Sequence, residues 1–172
     1  MKILSAGTLR TISFAAIVMS CVLGEVVCAM TPFQLFVIER NKNANIVVYE
    51  AKLDDRGDFV PDAPVVAYWK LNATTGAQQS LSLFDKRAYG FSIKKDIDSY
   101  QMTLAPFKNR PIQLLKEGKI PRAQMTINGI QSWLSKVYVK AKEGTLLPKV
   151  EYIELYGTAV ATGQKTYEKM VP

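Results

Sequence analysis

The chain contains no histidine, and that absence excludes more chemistry than any single feature present. Without imidazole there is no Ser-His-Asp or Cys-His catalysis, no His-ligated metal or haem, and no histidine pH switch. Cysteine is nearly as scarce, with only Cys21 and Cys28, both among the first thirty residues. Gly129 and Gly144 belong to no phosphate-binding pattern. Asp54, Asp55 and Asp58 gather around Gly57, but without the alternating ligands and closing Glu of a calcium loop, so they read as a polar turn. No linker, repeat or low-complexity stretch divides residues 30–172. No metal and no cofactor is implied.

The one long apolar run lies at the start. Lys2 and Arg10 precede a stretch from Ile12 to Leu23 broken only by small polar residues, and Val27-Cys28-Ala29 supplies a small-residue cleavage pattern. A positive end followed by a short apolar helix and small residues is how a secretory signal peptide is recognised. Residues 1–29 are therefore expected to be a signal peptide cut after Ala29, with export to the periplasm or the extracellular space. Glu25 interrupts the run before it reaches the span of about 20 apolar residues that a membrane anchor needs. A lipoprotein anchored at Cys21 is the alternative, although Met19 fits the required pattern poorly. Cleavage would leave a cysteine-free mature chain, residues 30–172, whose stability comes from its core and not from disulfides. No membrane-spanning segment is expected beyond the leader.

Lys and Arg number 22 against 15 Asp and Glu, and the excess sits in the second half. A basic half suits an anionic partner such as a phosphate-bearing glycan or a lipid head group. The lysines alternate with apolar residues and do not cluster, so a solvated face is the preferred reading and nucleic acid is not the expected partner.

Within residues 30–172 the dominant period is two. The segments 33–40 and 46–51 are rich in β-branched and aromatic residues and flank the turn-forming Asn41–Asn45, which makes a first hairpin. Further strands are expected at 65–71, 91–97, 100–107, 111–116, 121–127, 130–141 and 149–156, with 166–171 an optional short addition. The one helix is expected over 81–89, capped by Ser80 and ended by Gly90 in a left-handed conformation, with Leu81, Phe84 and Ala88 on one side. Asn128-Gly129 is the strongest turn signal, because a two-residue I′ turn needs positive φ at both positions. It would set Ile127 opposite Ile130, and Met125 opposite Ser132. The apolar parity then reverses beyond Lys136, which calls for a bulge near Ser135-Lys136. The expectation is an all-β, mainly antiparallel single domain, a barrel or sandwich of about eight or nine strands with one short helix.

The order of segments carries a resemblance. Ile38-Glu39-Arg40, Asn45-Ile46-Val47, Pro64-Val65 with Tyr68-Trp69, Ala88-Tyr89-Gly90-Phe91, Thr126-Ile127-Asn128-Gly129, Val137-Tyr138-Val139-Lys140 and Pro148 through Gly157 together resemble the bacterial domain-of-unknown-function family DUF4833, small exported proteins. The resemblance implies export and one β-rich domain, and brings no activity.

For function, the residues point to recognition at a loop rim beside aromatic surface. Arg40, Asn43 and Asn45 at the hairpin, with Tyr68, Tyr89 and Lys140, are the candidate ligand-binding residues. Guanidinium and amide groups suit an anionic or polyhydroxyl envelope ligand. The remaining aromatics, Trp69, Tyr100, Trp133, Tyr138, Tyr152 and Tyr156, are either core or a stacking surface. Lys86 beside Tyr89 could serve acid–base chemistry, or simply complement a helix end. The expectation is an exported, non-enzymatic β-domain that binds a ligand or an envelope partner. The alternatives are an envelope hydrolase using Asp, Glu, Lys or Tyr, and a structural subunit of an envelope complex.

Overall fold

The computed structural model describes residues 33–41, 43–72, 76–97, 99–142 and 149–171. The expected signal peptide, its expected cleavage point at Ala29 and the alternative anchor at Cys21 lie outside these residues. The Asn-rich hairpin forms as the sequence dictates: β1 (Gln34–Arg40) pairs antiparallel with β2 (Ile46–Ala51). Outward from β2 come β3 (Val65–Leu71) and the short β4 (Ala77–Ser80). A second arm is a meander of β5 (Phe91–Lys95), β6 (Tyr100–Leu104), β7 (Ile112–Glu117) and β8 (Ile120–Ile127). Then come the long β9 (Ile130–Lys142), β10 (Lys149–Ala159) and β11 (Lys165–Met170).

All eleven strands belong to one sheet curled into a half-barrel. β9 is its spine. One edge of β9 is taken by β10 from Ser132 to Lys142. The other edge is shared: residues 130–133 pair with β8, and residues 136–139 pair in parallel with β1. The strand thus leaves one arm and enters the other within its own length. The ladder between β9 and β10 slips where Tyr156 faces Lys136 and Gly157 faces Leu134, which makes Ser135 the extra residue of a bulge. The bulge stands where the apolar parity reverses, and bulges are the device by which strands bend from one sheet direction to another.

The two arms curl over one core. Tyr49 of β2 stacks on Phe36 of β1 at 4.4 Å and meets Phe91 of β5 edge-on at 6.0 Å. Met102, Ile112, Leu114 and Ile127 are buried beneath them. At the hairpin, Asn128 and Gly129 have φ of 48° and 79°, and Ile127–Ile130 and Met125–Ser132 are paired.

The helix departs from expectation. α1 runs only from Asp85 to Tyr89. Ser82 and Asp85, rather than Ser80, form the reciprocal cap, with Ser82 Oγ donating to the Asp85 carboxylate at 2.6 Å and accepting from the Asp85 amide. Ser80 instead ends β4, a strand missed because its polar, exposed AQQS sequence carries no apolar alternation. Leu81 is buried, but Phe84 and Ala88 are exposed. Gly90 is extended (φ −69°), not left-handed. Glycine is needed there for a different reason: a Cβ would stand 2.2 Å from the Lys86 carbonyl oxygen.

Candidate functional site

Alternation along strands sends every second residue of β1–β3 and β9–β11 to the convex face of the half-barrel. Register then decides which of them meet. One row across the sheet is Tyr68, Val48, Val37, Lys136, Tyr156 and Tyr167. The next holds Glu39, Tyr138, Glu154 and Lys169, and beyond it Lys140 faces Tyr152. Val37, Ile46 and Val48 form a small buried cluster with Tyr68 packed against it, so this face has an apolar floor at one side.

These side chains hold one another in place. Glu154 accepts hydrogen bonds from the hydroxyls of Tyr156 (2.8 Å) and Tyr167 (2.9 Å). The Tyr156 and Tyr167 rings lie 5.3 Å apart, and those of Tyr138 and Tyr152 6.4 Å. Lys136 lies over the Tyr156 ring and pairs with Glu39 at 3.2 Å, while Lys169 sits 3.7 Å above the Tyr152 ring. The Tyr156 hydroxyl is pushed up to about 12, by burial first and then by its bond to the Glu154 carboxylate. Glu154 is lowered, first by the Tyr156 hydroxyl and further by Tyr167 and the two lysines. At the far side Tyr68 donates to Glu50 at 2.7 Å and is likewise raised to about 12, mainly by burial. The face therefore offers neutral phenols, an ionised carboxylate and cations over aromatic rings. That set can stack on a sugar ring and hydrogen-bond its hydroxyls. A carboxylate held ionised is an acceptor, and a general acid would need the opposite shift.

The six sequence candidates divide. Tyr68 and Lys140 lie on this convex face. Tyr89 lies on the concave side, its ring edge-on to Trp69 at 5.0 Å and its carbonyl accepting the Tyr49 hydroxyl at 2.6 Å. Arg40 registers with Val139, which packs against the core, and so does not share a face with Lys140. Asn43 accepts from the Asn45 amide, and Asn45 accepts from the Asn72 amide at 2.7 Å, so both carboxamides brace turns. Asn41 ties the same hairpin to β9 by bonding both the amide and the carbonyl of Ala141.

Tyr167, Lys136, Lys169, Glu39 and Glu154 were absent from the sequence candidates. Their signal was the shared parity of Lys136-Tyr138-Lys140 and of Tyr152-Glu154-Tyr156; the register that aligns them was not visible. Of the acidic turn, Asp54 accepts from the Arg56 and Asp58 amides and the Arg56 guanidinium, and Asp58 pairs with Lys116. Among the described residues no helix is long and apolar enough to cross a membrane.

A comparison with protein families matches residues 36–169 to a domain of unknown function, DUF4833. No curated protein and no solved structure matches the chain.

Proposed function

We propose that this protein, which belongs to the DUF4833 family, is an exported, non-enzymatic domain that binds a polyhydroxyl, anionic envelope ligand on the convex face of its half-barrel. The observation that carries this is the patch of Tyr138, Tyr152, Tyr156 and Tyr167, interleaved with Lys136, Lys169 and Glu154 and locked by mutual contacts. A surface already ordered loses little side-chain entropy when a ligand arrives. A sugar ring can stack on the exposed Tyr167 beside the half-buried Tyr138, Tyr152 and Tyr156, the lysines suit acidic groups on the same chain, and Glu154 accepts from hydroxyls. The partner is taken to be a glycan of the cell envelope, for which Glu154, held ionised by its hydroxyl donors, is an acceptor.

Two measurements test the reading. Electrophoresis in native gels containing an acidic polysaccharide such as alginate, or neutral dextran, is expected to retard the protein in the acidic gel. The double change Tyr152→Ala and Tyr167→Ala should abolish the retardation while thermal stability stays within about 1 kcal/mol, as for surface substitutions. Equal mobility of wild type and variant across a panel of envelope glycans would reject the site. Export rests on the leader pattern of residues 1–29. Protein recovered from its native host should begin at Met30, and an intact Met1 on the accumulated protein would overturn it.

A further inference from the structure

The half-barrel is open on one side, and the opening is bordered by strand edges. β5 is the last strand of its arm, and no described strand lies along its outer edge. On the opposite arm β4 covers only residues 68–71 of β3, which leaves the edge at 65–67 bare among the described residues. Between these edges runs an open groove of about 790 Å³. It touches residues 65, 66 and 67 on one bank and 90, 91 and 92 on the other. Val65–Ala67 and Phe91–Ser92 have no outer neighbour strand among the described residues, so the groove runs along backbone edges where unpaired N–H and C=O groups lie.

We propose that this groove accepts an extended, acidic segment of a partner polypeptide as an added strand. Strand addition uses backbone hydrogen bonds for affinity and pockets for alternate side chains for selectivity. Both are here. The walls are Val65, Ala67, Phe91 and Leu104, and the charged residues lining the groove are Lys86 and Lys108, with no carboxylate among them. The far end of β5 carries Lys94 and Lys95, a usual guard against indiscriminate edge pairing, whereas Phe91–Ile93 has no such guard. Next to the groove Leu83 and Phe84 are 85% and 65% exposed, an apolar shoulder that a bound segment would cover. Charge complementarity selects an acidic partner over a second copy of this chain, whose formal net charge is +7. An acyl chain would fill the apolar walls but has no groups for the two edges. The site is separate from the convex face, so either proposal can fail alone.

The probe is a fluorescein-labelled, blocked octapeptide of alternating Val and Glu, read by fluorescence anisotropy, with hydrogen exchange to locate it. Binding should protect amides within residues 65–67 and 91–93. Lys86→Glu with Lys108→Glu should weaken it at least about tenfold, roughly the loss of two rim charges. N-methylation of every second peptide bond should abolish binding in both phases, because a strand lying between two edges turns one set of amides to each. Undiminished binding of either N-methylated peptide, or protection elsewhere, would overturn strand addition. Protection of the same amides by dodecanoate but not by peptide would assign the groove to an amphiphile, and protection that rises with protein concentration alone would assign it to self-association. Either result rejects the proposal.

Discussion

Arg110 and Glu168 stand 58 residues apart in sequence and meet in a two-pronged ion pair at 2.8 and 2.9 Å. Glu168 also accepts from the Asn128 amide, and Arg110 donates to the Thr126 carbonyl. The pair joins β11 to the β6–β7 connection and to the tight turn after β8. The Arg110 guanidinium is the main reason that the Glu168 carboxyl falls to about 2, with the Asn128 amide helping against partial burial. A lowered carboxyl contributes stability that is present above its unfolded value and lost as pH falls through the folded one. The window here is from about 4.5 down to about 2. Because both side chains remain partly open to solvent, the contribution is about 1–2 kcal/mol rather than the full shift. Urea denaturation of wild type should therefore lose more stability between about pH 6 and pH 2.5 than that of Glu168→Gln, by roughly that amount. Parallel loss in the two proteins would show that the pair contributes nothing.

At the scale of elements, the β8–β9 hairpin and the helix show two ways in which glycine matters. Gly129 is required by a positive φ of 79°, and a β-branched residue there strains the backbone. Gly129→Val is expected to cost about 1–3 kcal/mol, the scale of a forced backbone conformation. A denaturation midpoint unchanged from wild type would contradict it. Gly90 has ordinary dihedrals and is required by the closeness of the Lys86 carbonyl. The first requirement is written in the local Asn-Gly dipeptide. The second depends on how α1 is packed back against the chain, and so reading Gly90 as a left-handed cap gave the right residue for the wrong cause. The short β4 was illegible for a related reason: its pairing stabilises backbone groups, and its exposed polar side chains carry no burial pattern.

At the scale of the molecule, β9 unites two arms that would otherwise be separate small sheets, and the Ser135 bulge lets one strand serve both. The strands other than β4, the hairpin turn and the need for that bulge follow from the sequence, because side-chain parity and turn chemistry are local and a buried face must stay apolar. The tyrosine face and the groove do not follow. Tyr138, Tyr156 and Tyr167 become neighbours only through the pairing of β9 with β10 and β10 with β11, and Tyr68 and Tyr89 are parted by the sheet between them. The groove exists because β4 stops short of residue 65 and β5 has no outer neighbour among the described residues. The chain by itself determined parity, turns and the apolar content of a single β core. Register between distant strands, the openness of the half-barrel and the company each exposed residue keeps were decided by the tertiary structure, since strand-to-strand pairing is a long-range choice that local pattern constrains but does not encode.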